Sequence, residues 1–139
     1  MIPTHISLSD VKKWAEAKSL MHLGIELTDI GPDYLCGTMP VDHRTQQPFG
    51  ILHGGMSVVL AESLGSIASH LIVKDSGKIA VGLEVNANHI SSVKEGFVKG
   101  RATLVHAGSK THVWDIRITS DKDKLVCISR LTIAILEKK

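Results

Sequence analysis

Apolar and polar residues follow two different periods along this chain. In the stretch THVWDIRIT, residues 111–119, Trp114, Ile116 and Ile118 alternate with Asp115 and Arg117. A period of two is typical of a strand with one buried face. The segments 79–90, 96–106 and 125–136 are also predicted strands. The last of these is apolar on both faces, so we place it inside the sheet.

The first half of the chain predicts two helices and two strands. Residues 11–21 form a short amphipathic pattern that Ser9 or Asp10 can cap. Residues 24–30 and 34–41 flank a Gly-Pro-Asp turn and are predicted strands. Residues 54–73 are apolar on nearly every side, which predicts a long buried helix.

These elements predict an α+β fold, an antiparallel sheet of about six strands with one long central helix that the sheet can curl around. Short turns at 94–96, 107–109 and 121–123 suggest that the strands on either side of each are antiparallel neighbours. Val98 and Leu104 are expected on the sheet face turned away from the helix. Apolar surface there would favour a homo-oligomer.

Length and composition restrict the class of protein. The 139 residues predict a single domain, 1–139. A net charge of +2 gives no indication of nucleic-acid binding. No basic leader and no apolar run of membrane length was identified, so no membrane partner is expected. Cys36 and Cys127 are not in a CxxC pair, which favours free thiols and a cytoplasmic location.

The long apolar helix carries a polar stripe. Glu62, Ser66 and His70 are spaced four residues apart and therefore share one helix face, with Ser69 beside them. A carboxylate among apolar residues needs a partner or a function. Two interpretations of Glu62 remain open at this point, a buried glutamate satisfied by hydrogen bonds or an arginine, and a catalytic acid or base.

The segment before this helix favours a ligand site. Gly50, Gly54 and Gly55 allow close approach of the backbone, and the first turn of a helix has unpaired amides. An oxyanion could be stabilised by the amide of Gly54 or Gly55. Tight packing explains the glycines equally well. His53 could contact a ligand or cap the helix, and Gln47 could be an ordinary loop amide.

Other catalytic motifs were not found. The sequence has no HExxH zinc motif, no GxSxG nucleophile elbow and no P-loop. The histidines other than His53 and His89 have no metal-ligand spacing. We therefore expect neither a metal nor a cofactor.

At the segments 39–66, 81–90 and 108–118 the sequence resembles the hotdog-fold acyl-CoA thioesterases. The nearest group is the bacterial 1,4-dihydroxy-2-naphthoyl-CoA hydrolases, of menaquinone biosynthesis, with their enterobactin-proofreading relatives. Their catalytic arrangement is shared with one class of 4-hydroxybenzoyl-CoA thioesterases. The resemblance covers residues 23–136.

The resemblance implies roles for individual residues. Glu62 matches the catalytic carboxylate, and Gly54 matches the oxyanion-hole amide. Gln47 and His53 match polar groups around the thioester, and Ser66 matches a residue that positions the hydrolytic water. The resemblance also implies dimers with a continuous sheet, an active site at their interface, and tetramers built as dimers of dimers.

Coenzyme A, as part of the substrate, would be held by three segments, some of them from the neighbouring subunit. The residues implied are Gly82, His89, Ile90, Ser91, Ser92, His106, Ala107, Gly108, Ser109, Lys110 and Thr111. This sequence departs from the family after His89, where relatives often have an arginine. Lys94, Lys110 or Arg130 could replace its phosphate contact, and Lys110 is favoured because it lies in a glycine-containing turn.

The expected reaction is hydrolysis of an acyl-CoA or acyl-carrier-protein thioester, with Glu62 as nucleophile or general base. The alternatives are a hotdog hydratase or dehydratase, and a non-catalytic acyl-CoA or acyl-carrier-protein binding module. Met56, Val59, Leu60 and Phe49 could line the acyl pocket or simply pack in the core.

Overall fold

The computed structural model describes residues 1–16 and 18–139. The helices are α1 (Leu8–Trp14), α2 (Lys18–Leu23) and α3 (Gly54–Val73). The strands are β1 (Glu26–Gly31), β2 (Tyr34–Pro40), β3 (Lys78–His89), β4 (Phe97–Ala107), β5 (Thr111–Ser120) and β6 (Leu125–Glu137). They form one antiparallel sheet in the order β1-β2-β4-β5-β6-β3. The predicted α+β fold is confirmed, and β6 has a neighbour on each side.

The sheet packs around α3, which begins and ends at the predicted residues. Small residues let the helix approach the strands closely. A Cβ atom on Gly100 of β4 would lie 2.8 Å from Leu64 Cδ1, and one on Gly65 of α3 would clash with Leu131 of β6. Leu64 and Leu131 have no solvent exposure. Burial of such side chains contributes about 1.5–3 kcal/mol each, so this contact is a major source of stability.

The N-terminal helical region is shorter and earlier than the sequence predicted. Two helices, α1 and α2, replace the single helix over 11–21. Ser7, rather than Ser9 or Asp10, is the N-cap, because its Oγ accepts a hydrogen bond of 3.1 Å from the Asp10 amide. The Asp10 carboxylate in turn accepts from the Ser7 amide. This reciprocal capping box fixes the start of α1.

The prediction that β3 and β4 are neighbours is wrong. β3 lies at one edge of the sheet and pairs with β6, whereas β4 lies between β2 and β5. The connection spans residues 90–96 rather than three residues, and it carries the chain from the β3 edge of the sheet to β4. Its backbone is held on the way, since the Ile90 amide donates to the Val126 carbonyl and the Val93 carbonyl accepts from Leu52. The turns after β4 and β5 do join neighbours, as predicted.

Val98 and Leu104 do not lie on the outer face of the sheet. Val98 is fully buried in the core, and Leu104 packs against the same core. Exposed apolar surface is found instead on the edge strand β3, where Ile79, Val81 and Leu83 are exposed. Such a strand also presents unpaired backbone groups along its free edge.

Helix α3 is long enough and apolar enough to cross a membrane, contrary to the expectation that no segment has this length. However, 56% of its most apolar stretch is buried inside the protein. Burial against the sheet accounts for its composition.

Candidate active site

A well-connected loop carries the chain from β2 to α3. Thr45 is buried, its Oγ1 donates to the Pro40 carbonyl at 2.7 Å, and its own carbonyl accepts from the His53 amide. The Arg44 guanidinium beside Asp42 lowers the pKa of that carboxyl to about 2. These contacts hold the end of the loop, and with it the start of α3, in a defined position.

His53 is the N-cap of α3. Its Nδ1 accepts a 2.8 Å hydrogen bond from the Gly55 amide. A Cβ atom on Gly55 would lie 2.9 Å from that same nitrogen, which explains the glycine. Since Nδ1 is the acceptor, the neutral ring carries its proton on Nε2 and can donate it outward. The Gly55 amide is therefore occupied.

The Gly54 amide is left for a ligand. Among the hydrogen bonds of residues 1–16 and 18–139, this amide donates none. It lies in the first turn of a 20-residue helix, at the positive end of the helix dipole. Of the two amides that the sequence left open, Gly54 is the one that is geometrically able to receive an oxyanion.

A cleft of about 350 Å³ opens beside this amide. Its walls come from the loop before α3, the first turn of α3, the end of β3 with its following segment, and β6. The lining residues are Gln47, Ile51, Leu52, Gly54, Ser57, His89, Ile90, Ser91, Ser92 and Val126. The cleft thus brings Gln47 and Gly54 together with the predicted segment 89–92, and its size is within the range of ligand sites.

His89 forms the wall closest to the helix start. A Cβ atom on Gly54 would lie 2.8 Å from His89 Nε2, so only glycine allows this approach. On the opposite side, the Gln47 side-chain oxygen accepts from the Phe49 amide. The Gln47 NH₂ group remains as a donor at the cleft.

Ser57 was not recognised from the sequence as a site residue. It lies one turn after Gly54, is 1% exposed, and lines the cleft. Its spacing of three residues from Gly54 places it on the same helix face, a signal that the sequence does contain.

Glu62 lies elsewhere on the same helix. Its carboxylate rests against Gly82 of β3, where a Cβ atom would clash with Oε1 and lie 3.5 Å from Cδ. Eight residues separate Gly54 from Glu62, which corresponds to about 12 Å along the helix axis. Ser66 is a further turn away. Within one chain, therefore, Glu62 and Ser66 (the acid group) do not meet Gln47, His53, Gly54 and His89 (the amide group).

The segments implied for coenzyme A are separated in the same way. His89 is paired with Cys127 near one end of the β3–β6 ladder. The turn 107–110 lies towards the other end. Thr111, the residue after this turn, pairs with Ala134 of β6, and Ala134 pairs across the ladder with Val81 of β3. Eight residues of strand span roughly 26 Å. The two segments cannot contact one small molecule within a single chain unless that molecule extends along β3.

Two other polar residues of α3 have structural partners. Ser69 is fully buried and accepts a 2.7 Å hydrogen bond from Trp114 Nε1. His112 Nδ1 lies 3.1 Å from the same oxygen. The His70 ring stacks on Trp14 with 4.1 Å between centroids. His70 therefore does not belong to the acid group, although it shares the spacing of the polar stripe.

The other suggested lining residues do not border the cleft. Leu60 is fully buried and belongs to the core, while Phe49 is 92% exposed at the tip of its loop. Met56 and Val59 are half-buried against the core. Within residues 1–16 and 18–139, no three His, Cys, Asp or Glu side chains converge as a metal site.

Similarity to other proteins identifies the class of enzyme. The sequence model of the thioesterase superfamily matches residues 49–127, a segment that contains Gly54, Glu62, Gly82 and His89. The chain belongs to this superfamily. It has the hotdog fold and is a thioesterase.

Named relatives support this assignment over almost the whole chain. The 1,4-dihydroxy-2-naphthoyl-CoA hydrolase of Escherichia coli strain K12 is 50% identical over 131 residues, 94% of this chain and 96% of that protein. The proofreading thioesterase EntH of Cronobacter turicensis is 42% identical over 132 residues, which cover 95% of this chain and 96% of that protein.

Solved structures agree with the fold of this thioesterase. A thioesterase from Haemophilus influenzae superimposes with a TM-score of 0.91 at 44% identity, covering 99% of this chain and 96% of the other. A mutant thioesterase from Pseudomonas aeruginosa gives 0.90 at 47% identity, with 96% of each chain covered.

Proposed function

We propose that this thioesterase hydrolyses acyl-CoA thioesters, with aryl-CoA compounds such as 1,4-dihydroxy-2-naphthoyl-CoA as the first candidates. The observation that carries the proposal is the free Gly54 amide in a cleft with Gln47 and His89. The 50% identity to a 1,4-dihydroxy-2-naphthoyl-CoA hydrolase supports the choice of acyl group. A role in menaquinone biosynthesis is proposed from the resemblance of the sequence to that group of enzymes.

The active site is proposed to form between two copies of the chain. The acid group and the amide group lie about 12 Å apart along α3, too far to contact one thioester carbonyl. The edge strand β3 has exposed apolar side chains, Ile79, Val81 and Leu83. Antiparallel pairing of two such edges would extend the sheet and cover this surface.

The positions of the two groups along β3 specify the register of this pairing. Glu62 lies over Gly82, and Gly54 lies under His89. The two groups meet if Gly82 pairs with the partner's His89. Opposite residues of an antiparallel pair share a face. At the bulge between Gly82 and Glu84, one residue of β3 has no pairing partner and does not add to the count of pairs. The midpoint between Gly82 and His89 is therefore Asn86, which this pairing places on the two-fold axis opposite the partner's Asn86.

The same pairing unites the coenzyme A segments. It brings the turn 107–110 of one subunit towards residues 89–92 of the other, since these lie at opposite ends of β3. Each dimer would then hold two equivalent sites, and dimers would associate into tetramers.

In the proposed reaction the thioester oxygen accepts a hydrogen bond from the Gly54 amide, while His53 Nε2–H and the Gln47 NH₂ position the thioester. Glu62 of the other subunit adds to the carbonyl carbon and expels the coenzyme A thiolate, or takes a proton from the water that adds. The first route forms an anhydride that water then cleaves. Ser66 helps to hold that water. No metal or cofactor takes part in this proposal.

We place the protein in the cytoplasm. Cys36 and Cys127 are both free thiols, which suits a reducing compartment.

The direct test replaces Glu62 by glutamine, which keeps the shape and removes the charge. Turnover should fall by about 10²–10⁴-fold on the best of a panel of aryl- and alkyl-CoA thioesters. Thiol release measured with dithionitrobenzoate reports the rate. The matched control is Glu16→Gln on the N-terminal region, which should leave turnover unchanged. Wild-type hydrolysis by the Glu62→Gln enzyme would contradict the assignment.

A further inference from the structure

Ser57 is a polar residue on the buried floor of the catalytic cleft. Its neighbours on this floor, Leu52 and Val126, are buried and apolar, whereas Ile90 and Ser92 are exposed and form the open rim. Of the residues that line the cleft in the described chain, Ser57 is the only one that is both polar and buried. A buried hydroxyl is costly unless a hydrogen bond satisfies it. The partner of this hydroxyl therefore needs to be identified.

The Ser57 hydroxyl has no partner within the protein. Among the side-chain hydrogen bonds formed by residues 1–16 and 18–139, none involves its Oγ. The His53 carbonyl, four residues earlier, accepts from the amides of Met56 and Ser57 instead. Every fully enclosed side-chain nitrogen or oxygen of the described residues has a partner. The Ser57 oxygen is therefore open to the cleft and available to a ligand.

The position of Ser57 on α3 separates it from the oxyanion site. It follows Gly54 by three residues, which corresponds to about 4.5 Å along the helix axis. The first amides of a helix point out of its N-terminal end, whereas a side chain further on leans over the turn before it. The Gly54 amide and the Ser57 hydroxyl therefore contact two different groups of one substrate.

The burial of the floor decides which part of the substrate reaches Ser57. Coenzyme A is too large for the cleft and has to extend over the rim at Ile90 and Ser92. The acyl group is the free end of the substrate, so it can occupy the buried floor. Apolar walls with a few polar groups that fix orientation are typical of such a site. Leu52 and Val126 suit the face of an aromatic ring, and Ser57 suits a polar substituent on it.

We propose that Ser57 selects acyl groups that carry a hydroxyl in the meta position of the ring. The inference rests on the proposed function and adds a residue that determines its acyl specificity. An ortho hydroxyl lies beside the thioester oxygen and therefore near Gly54, whereas a meta hydroxyl projects away from it, as Ser57 does along the helix. In 1,4-dihydroxy-2-naphthoyl-CoA, the 4-hydroxyl is meta to the ring carbon that carries the thioester.

The physical basis of the selection is the cost of an unpaired group. When the acyl ring enters the floor, it expels the water that satisfies Ser57. A ring with a meta hydroxyl replaces the lost hydrogen bond, and a ring without one leaves the serine unsatisfied. A site of this kind rejects the analogue that lacks the hydroxyl more strongly than it would reject a change in size.

The test compares substrates that differ by one hydroxyl. One pair is 3-hydroxybenzoyl-CoA and benzoyl-CoA, and the other is 1,4-dihydroxy-2-naphthoyl-CoA and 1-hydroxy-2-naphthoyl-CoA. Ser57→Ala removes the hydroxyl, and Ser57→Cys replaces it by a thiol that forms weaker hydrogen bonds. Ser9→Ala is the matched control, because Ser9 is an exposed serine on α1.

The wild-type enzyme should hydrolyse the substrate with the meta hydroxyl with a kcat/KM about tenfold or more above that of its pair. In Ser57→Ala this preference should fall to about twofold or less, through a loss on the hydroxylated substrate alone. Ser57→Cys should give an intermediate preference, and Ser9→Ala should keep the wild-type preference.

Three results would overturn the inference. The first is a wild-type enzyme that does not distinguish the two substrates of a pair. The second is a folded Ser57→Ala enzyme that keeps the wild-type preference. The third is an equal loss on all four substrates, because Ser57 would then contact the pantetheine arm or support the fold. If Ser57→Ala does not fold, the same comparison is made with Ser57→Cys.

Binding distinguishes failure of this inference from failure of the proposed function. If none of the four compounds is hydrolysed, the proposed function fails, and calorimetry then gives their dissociation constants. Tighter binding of the compounds with a meta hydroxyl by the wild type, lost in Ser57→Ala, still supports the contact. Equal binding within each pair, or no binding, overturns it. Normal hydrolysis without a preference overturns the inference and leaves the proposed function standing.

Discussion

Of the first two amides of α3, that of Gly55 is bonded to a side chain and that of Gly54 has no partner among the described residues. His53 Nδ1 accepts from Gly55, whereas Gly54 donates to no group of the described residues. Loss of one oxyanion donor costs about 2.7–4 kcal/mol in the transition state of a well-studied protease. The cap therefore orients His53 and leaves the Gly54 amide as the single donor that the proposed mechanism assigns to the thioester oxygen.

His112 is a buried histidine with a defined protonation state. It is 2% exposed, and Trp114 Nε1 already donates to Ser69 Oγ. The Ser69 hydroxyl can then donate to His112 Nδ1, which requires a neutral imidazole. Burial lowers the pKa of His112 from 6.5, and the positively charged N-terminus and His106 lower it further.

This histidine predicts acid sensitivity. The unfolded chain binds a proton at His112 near pH 6.5, while the folded chain does so at lower pH. The free energy of unfolding should therefore fall as the pH drops below 6.5. The contribution of His112 to this fall ends below the pKa that His112 has in the folded chain. A single proton contributes at most about 1.4 kcal/mol per pH unit. Urea unfolding at a series of pH values measures the slope.

His112→Gln should make this pH dependence shallower, and the exposed His43→Gln variant should retain the wild-type slope. His70 also has a pKa lowered by burial, so part of the slope remains in the His112 variant. An unchanged slope after loss of His112 would contradict the assignment of the neutral ring.

At the scale of elements, β3 supports both halves of the proposed site. Gly82 faces the Glu62 carboxylate, and His89 faces Gly54. The glycine is required where the acid lies, because any side chain at that point would displace it.

Gly82→Ala should therefore lower turnover without preventing folding. The added methyl moves the Glu62 carboxylate, and a displacement of about 1 Å can cost on the order of 100-fold in rate. The measurement is kcat on the preferred acyl-CoA, with thermal unfolding as the control for stability. Full activity in a folded Gly82→Ala enzyme would show that the position of Glu62 is not critical.

The elements could be predicted where a periodic pattern determines them. The bounds of α3 follow from an apolar segment that starts after His53 and ends before a polar loop. The pairing of β3 could not be predicted, because a turn sequence indicates where a strand begins and not which strand lies beside it. The N-terminal helix begins before the predicted residue, because the capping box of Ser7 and Asp10 starts the helix ahead of the apolar pattern.

At the scale of the whole molecule, the sequence pointed to the catalytic residue types but not to their separation in space. Gln47, His53, Gly54 and Glu62 are close in the chain, and only the family resemblance implies that the site is shared between two subunits. Eight residues of helix place Glu62 about 12 Å from Gly54, so the acid group and the amide group are separate within one chain. Ser57 was missed because a serine in an apolar helix gives little signal without the cleft.

The proposed dimer predicts a specific cross-link. If Asn86 lies on the two-fold axis, its Cα and that of the partner's Asn86 are about 4.5–5.5 Å apart, within reach of a disulfide. Asn86→Cys should form a covalent dimer on mild oxidation, seen by non-reducing electrophoresis. Asn88→Cys, two residues along the same strand, should not, and a cross-link of equal yield there would refute the register.

Mixed dimers provide the most direct measurement of the central proposal, that each active site combines Glu62 of one subunit with Gln47, His53 and Gly54 of the other. Glu62→Gln and Gln47→Ala subunits, each nearly inactive alone, are co-expressed with different tags and isolated as mixed dimers. One of the two sites then has both wild-type halves, and close to half of the wild-type activity should return. Activity no higher than that of the two parent variants would show that each site lies within one chain, and would contradict the account.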